Sequence, residues 1–167
     1  MTKRRTTGEL GTFVTLVGLV AFAAIATDLY LPAIPYIIAD LGATESQGQL
    51  TLSVFMVGLA TGQLIFGPLS DQFGRLPVVR IGTVLFLVTS VLCALAWNME
   101  MMWLMRGLQG VAAASGPVIA RAIVRDRYEG NRASQVMSVL SGAMAVIPMV
   151  APGIGALILG FSPWPGV

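Results

Sequence analysis

The sequence predicts an all-α, polytopic membrane helix bundle, and three observations predict it. Hydrophobic residues make up 56% of the 167 residues and charged residues 11%, with a mean hydropathy of +0.82. That leaves too few charges to cover a soluble domain. The apolar residues gather into five runs, each near the roughly 20 residues that an α-helix needs to cross a bilayer. The charges fall almost entirely between those runs.

The first run, about 12–33, follows Lys3, Arg4 and Arg5. A cleaved signal peptide is the alternative reading, given the small residues around Ala24 and Ala26. The run exceeds the roughly 7–15 residues of a signal core, and four more runs follow. Pro32 and Pro35 are expected to end this helix. A polar segment over 39–49 with Asp40 and Glu45 leads to the second run, about 50–68.

Gly67 to Pro77 then forms an expected tight polar hinge. Gly67 and Gly74 are the candidates for close backbone approach or positive φ, Pro77 can open the next helix, and Asp71 and Arg75 place opposite charges at the membrane surface. The third run, about 78–98, turns at Asn98–Glu100 into the fourth, about 101–122. The most charged stretch, Arg121 to Arg132, precedes the fifth, about 134–160. Pro148, Pro152, Gly153 and Gly155 predict a kink there, static or able to bend.

The basic residues fit one orientation. With a cytoplasmic N-terminus, the inner segments hold Lys3, Arg4, Arg5, Arg75, Arg80, Arg121, Arg125, Arg127 and Arg132, and the outer segments hold no Lys or Arg. The remaining basic residue, Arg106, falls well inside the fourth run, whereas Arg80 and Arg121 lie at the inner ends of theirs. The single cysteine, Cys93, permits neither a disulfide framework nor a thiolate cluster, and histidine is absent. No phosphate-binding glycine loop follows a strand. An enzyme, a cofactor site and a nucleic-acid partner are therefore not expected.

Asp28 and Arg106 are the charges set inside runs, and burying either costs a few kcal/mol on insertion scales. Each lies about 6–8 Å below the outer boundary at 1.5 Å per residue, so the two are candidate counterions. One reading is a fixed ion pair that assembles the bundle; the other is that Asp28 binds a proton or a cationic substrate while Arg106 stays charged. Tyr30 stands two residues from Asp28. The aromatics Tyr30, Tyr36, Trp97 and Trp103 fall near the outer interface, where a belt is expected before a drug-binding cage, with Tyr30 the possible exception. Gly58 and Gly62, Gly110 and Ala114, and the nearby Gly107 and Gly116 form small-residue faces suited to close helix packing.

Four segments resemble, in order, signatures of the major facilitator superfamily, and of its drug:proton antiporters of the bicyclomycin-resistance type. Asp28-Leu29-Tyr30-Leu31-Pro32-Ala33-Ile34-Pro35 resembles the first-helix motif. Gly67 to Pro77 resembles the loop motif at Gly67, Leu69, Asp71, Gly74 and Arg75, departing at Gln72 and Leu76, where basic residues are frequent. Leu104 to Gly110 resembles the fourth-helix motif, with Arg106 at the arginine associated with proton coupling. Ala151-Pro152-Gly153-Ile154-Gly155-Ala156 resembles the antiporter motif of helix five, with alanine replacing glycine at 151 and 156. Arg121 to Tyr128 adds a resemblance particular to the subgroup.

The resemblance implies five helices of an N-terminal six-helix half, within a twelve-helix exporter of the inner membrane. Protons and small drug-like molecules would be its ligands, the proton gradient its energy source, and helices one and four part of its central cavity. Asp28, Arg106 and Tyr30 would serve proton and substrate binding. Gly67, Asp71, Gly74 and Arg75 would gate the inner face, and Pro148, Pro152 and Gly155 would bend helix five. Because such a transporter needs its second half, a chain of five spans is expected to be a fragment or a truncated product. The rival readings are a carrier for a sugar, amino acid or other metabolite, and a truncated half without transport.

Overall fold

The computed structural model describes residues 3–161 and Trp164, with the side chains of residues 3–10 excepted. The Lys3, Arg4 and Arg5 side chains and the remainder of the tail after Phe161 therefore lie outside the described residues. Seven α-helices and one 3-10 turn make up the described chain, with no strand among the described residues.

Helix α1 spans Lys3–Asp28. A 3-10 turn at Leu31–Ala33 and a short α2, Ile34–Asp40, follow it. Pro32 and Pro35 are the second residues of these two pieces, within the first turn, where the missing N–H breaks no helical bond. The expected stop is thus an interruption inside one apolar run from Gly11 to Asp40. Residues 41–44 then suffice to turn the chain. Thr44 caps α3, Glu45–Phe73: its Oγ1 accepts from the Gln47 amide while Gln47 Oε1 accepts from the Thr44 amide at 2.9 Å.

The hinge expected over Gly67 to Pro77 is much smaller than its sequence suggests. Helix α3 continues through Pro68 to Phe73, and only Gly74, at φ +89°, leaves the helical region. Gly67 is helical with open space around it, so neither close approach nor positive φ explains it. Pro68 forfeits a single backbone donor, a gap that membrane helices accommodate.

Helix α4, Arg75–Ala94, carries Pro77 in its first turn. Asn98 Oδ1 then caps α5, Met99–Ala113, by accepting from the Met101 amide at 2.8 Å. Helix α6, Ser115–Arg127, follows after Ala114 and extends the same apolar run. Most of the charged stretch that reads as a loop is therefore helix. Helix α7, Gly130–Phe161, contains both Pro148 and Pro152.

Among the described residues, five helical runs are long and apolar enough to cross a membrane, as a multi-pass membrane protein requires. The α5–α6 run is the most buried of the five and forms the axis. Met102, Ala112, Ala113, Ala114, Ile119 and Ala120 on it are all inaccessible or nearly so. Against it α3 approaches to backbone contact. A Cβ added at Gly58 would fall on the Gly107 carbonyl oxygen, and one added at Gly110 would fall on the Phe55 carbonyl oxygen. On the other side, Gly155 of α7 lies against the Leu29 carbonyl.

This seam predicts that Gly110→Val forces α3 and α5 apart. Thermal unfolding of the purified protein should show a loss of about 1–3 kcal/mol, as for an overpacked core. Gly67→Val, which meets open space, should cost little by the same measurement.

Candidate functional site

Arg106 projects from α5 into the bundle and retains only 2% of its accessible surface. A cation there needs compensation, because desolvation alone costs at least about 2.5–3.5 kcal/mol on insertion scales. The compensation comes from rings and neutral oxygens. The guanidinium carbon lies 3.9 Å from the Tyr30 ring centroid and 4.6 Å from that of Phe55. Desolvated contacts of this kind contribute about 2 kcal/mol or more. Nη1 donates to Gln109 Oε1 at 2.7 Å and to the Ala26 carbonyl at 3.4 Å, whereas Nε and Nη2 are buried with no partner among the described residues.

Each partner is itself anchored. Gln109 Nε2 donates to Ser90 Oγ at 2.7 Å, and Ser90 donates to the Phe86 carbonyl within α4. The Tyr30 hydroxyl donates to Thr51 Oγ1 at 3.1 Å, and Thr51 donates to the Gly48 carbonyl at 2.6 Å. Helices α1, α3, α4 and α5 thus converge on one guanidinium. Beside it is a cavity of about 250 Å³ lined by Phe22, Leu29, Tyr30, Ser90, Cys93 and Gln109, among others.

Asp28 closes α1 half-buried, and its carboxylate makes no hydrogen bond or ion pair with a described residue. The counterion pairing considered from the sequence is absent: the ion pairs among described residues all involve Arg75. The depth relation does hold, since Arg106 contacts residues 26 and 30, on either side of Asp28. The two charges share a level without a hydrogen bond or ion pair between them, and the guanidinium Nε and Nη2 stay unpartnered.

A second cluster ties the opposite ends of three helices together around Arg75. Its Nη1 donates to Ser70 Oγ at 2.6 Å and to the Asp71 carboxylate. Nε donates to Asp126 Oδ2 at 2.9 Å, and Nη2 reaches Oδ1 at 3.4 Å. The fork geometry suits a guanidinium and a carboxylate. Gln72 and Leu76, which depart from the resembled motif, are exposed beside it, and Asp126 of α6 supplies the second carboxylate. Pro148, Pro152 and Gly155 belong to neither cluster.

Tyr30 is buried, whereas Tyr36 and Trp97 are exposed and Trp103 Nε1 donates to the Gln47 carbonyl at 3.0 Å. Sequence reasoning passed over Phe55, Thr51, Ser90, Gln109 and Asp126. Gln109 was detectable three residues from Arg106 on one helix face, and Asp126 stands in the charged run. Phe55 carries no signal, being an apolar residue in an apolar helix.

The profile of the Major Facilitator Superfamily matches residues 16–167. The multidrug resistance protein MdtL of Klebsiella pneumoniae (strain 342) is 41% identical over 137 residues, which are 82% of this chain and 35% of that protein. Its counterpart in Vibrio parahaemolyticus is 39% identical over 142 residues, 85% of this chain and 36% of that protein. The chain thus spans little more than a third of the length of these relatives.

Two outcomes follow from the geometry. Tyr30→Phe keeps a ring against Arg106 and loses one hydrogen bond, so its unfolding free energy should fall by only about 0.5–1.5 kcal/mol, while Tyr30→Ala should cost clearly more in the same assay. Arg75→Gln removes the fork to Asp126, and limited proteolysis should then cut faster at the Gly74 turn.

Proposed function

This chain belongs to the Major Facilitator Superfamily, and from that premise we propose that it supplies helices of a proton-driven multidrug exporter of the bicyclomycin-resistance type. The exporter sits in the inner (plasma) membrane with its N-terminus in the cytoplasm. Small drug-like molecules and protons are exchanged, the proton gradient supplies the energy, and no cofactor takes part.

The observation that carries this reading is the unpaired Asp28 carboxylate at the level of a fully buried Arg106. A half-buried acid free of any partner can exchange a proton or a cationic drug without first breaking a salt bridge. The fixed charge of Arg106 makes the local net charge depend on what Asp28 holds, and that dependence is what couples two ligands. Names of relatives that speak of multidrug resistance support the substrate class.

The cluster of Arg75, Asp71 and Asp126 serves as a gate on the cytoplasmic face. It favours the state open to the outside while its bonds hold, and it touches no substrate. Gly74 supplies the turn that aims Arg75, and Pro148, Pro152 and Gly155 let α7 bend as the gate opens. Transport takes place between this unit and further helices, since five spans cannot form two halves that rock about a central site.

Asp28→Asn, in the intact transporter expressed at normal level, should abolish drug resistance and drug-driven proton movement while membrane insertion is unchanged. Undiminished resistance in that variant would remove Asp28 from the coupling role. Uptake limited to one metabolite and indifferent to a pH gradient would make the protein a metabolite carrier.

A further inference from the structure

Phe55 is fully inaccessible on α3, one helical turn after Thr51, and its ring centroid lies 4.6 Å from the Arg106 guanidinium carbon. The same stretch of α3 anchors Tyr30, whose hydroxyl donates to Thr51 Oγ1. Two rings, one from the turn after α1 and one from α3, therefore meet one cation, and α3 positions both. The approach depends on glycine: the Phe55 carbonyl sits where a Cβ of Gly110 would be, which brings α3 against the helix that carries Arg106.

A ring face attracts a cation through its quadrupole, and it neither accepts a proton nor forms a salt bridge. It can stabilise Arg106 without engaging a carboxylate. In a site that must hold a permanent cation beside an acid that works only when free, such a partner solves a specific problem. With Nε and Nη2 unpartnered and Asp28 at the same level, an unrestrained guanidinium would capture the carboxylate. Gln109, held by Ser90, fixes the remaining edge.

We propose that Phe55 is a positioning residue for coupling: together with Tyr30 it retains the Arg106 cation by its ring face and thereby keeps Asp28 free to exchange its ligand. This rests on the transport reading given above.

The test replaces Phe55 in the intact transporter with mono-, di- and trifluorinated phenylalanine, which nearly preserves shape while progressively removing the negative ring face. Thermal unfolding of the purified protein is followed along the series, in the native background and with Arg106→Met. The midpoint should step down with each fluorine when Arg106 is present and stay level when it is absent, a coupling that packing alone does not produce. Should Arg106→Met fail to fold, Arg106→Lys replaces it, with a smaller step expected for the weaker stacking of an ammonium. A level series in the native background, or the same slope in both, would overturn the clamp.

In vesicles, efflux of the lipophilic cation ethidium driven by a pH gradient should fall about thirtyfold by the trifluorinated ring, the scale of one desolvated cation–π contact. Downhill ethidium movement should persist. Unchanged driven efflux alongside a stepped midpoint would overturn the coupling role and leave Phe55 as a packing residue. If the unmodified protein moves no ethidium under any gradient, the transport reading fails with the coupling role that rests on it, while the unfolding series still decides the clamp.

Discussion

A guanidinium buried to 2% exposure without a carboxylate partner constrains the rest of this bundle. Such a charge is tolerated only if several elements bring polarisable or accepting groups to it. Tyr30 from the turn after α1, Phe55 from α3, Ser90 from α4 and Gln109 from α5 do so. Close helix approach accompanies this arrangement. The glycines at 58, 107 and 110 lie where α3 must come near enough for the Phe55 ring to reach across.

The two charged clusters differ in kind. Around Arg75 the charged partners are carboxylates on exposed helix ends, beside the buried Ser70 hydroxyl, and water weakens each pair so that the fork to Asp126 contributes geometry more than energy. Such contacts make and break readily. Around Arg106 the partners are neutral and enclosed, so the arrangement is held by packing and persists. The two arginines thus differ in surroundings, one at an exposed helix end and one enclosed, which is the contrast that the proposed roles of gate and fixed charge draw on.

Much of the fold was legible from hydropathy, because span length and the siting of charges follow from the bilayer. The lengths of the helices were not. Thr44 and Gln47 extend α3 backwards by a capping box, Pro68 fails to end it, and Arg121 to Arg127 extend the fourth run in spite of their charge. A run of apolar residues marks what the membrane covers, whereas helices continue into the interface as long as caps and backbone bonds allow. At the site, charge inside an apolar run revealed Asp28 and Arg106. Their separation was hidden, because which group answers a buried cation depends on ring placement from another helix, and Phe55 looks like any core residue until the helices are packed.

On the proposed function, a free Asp28 beside a fixed Arg106 charge converts a proton gradient into drug movement. The most direct measurement uses sealed vesicles holding the intact transporter, with equal ethidium on both sides and a pH gradient imposed across the membrane. Ethidium should accumulate against its own gradient on the acidic side and redistribute when the pH gradient collapses. Ethidium that stays at equal concentration under a maintained gradient would contradict it.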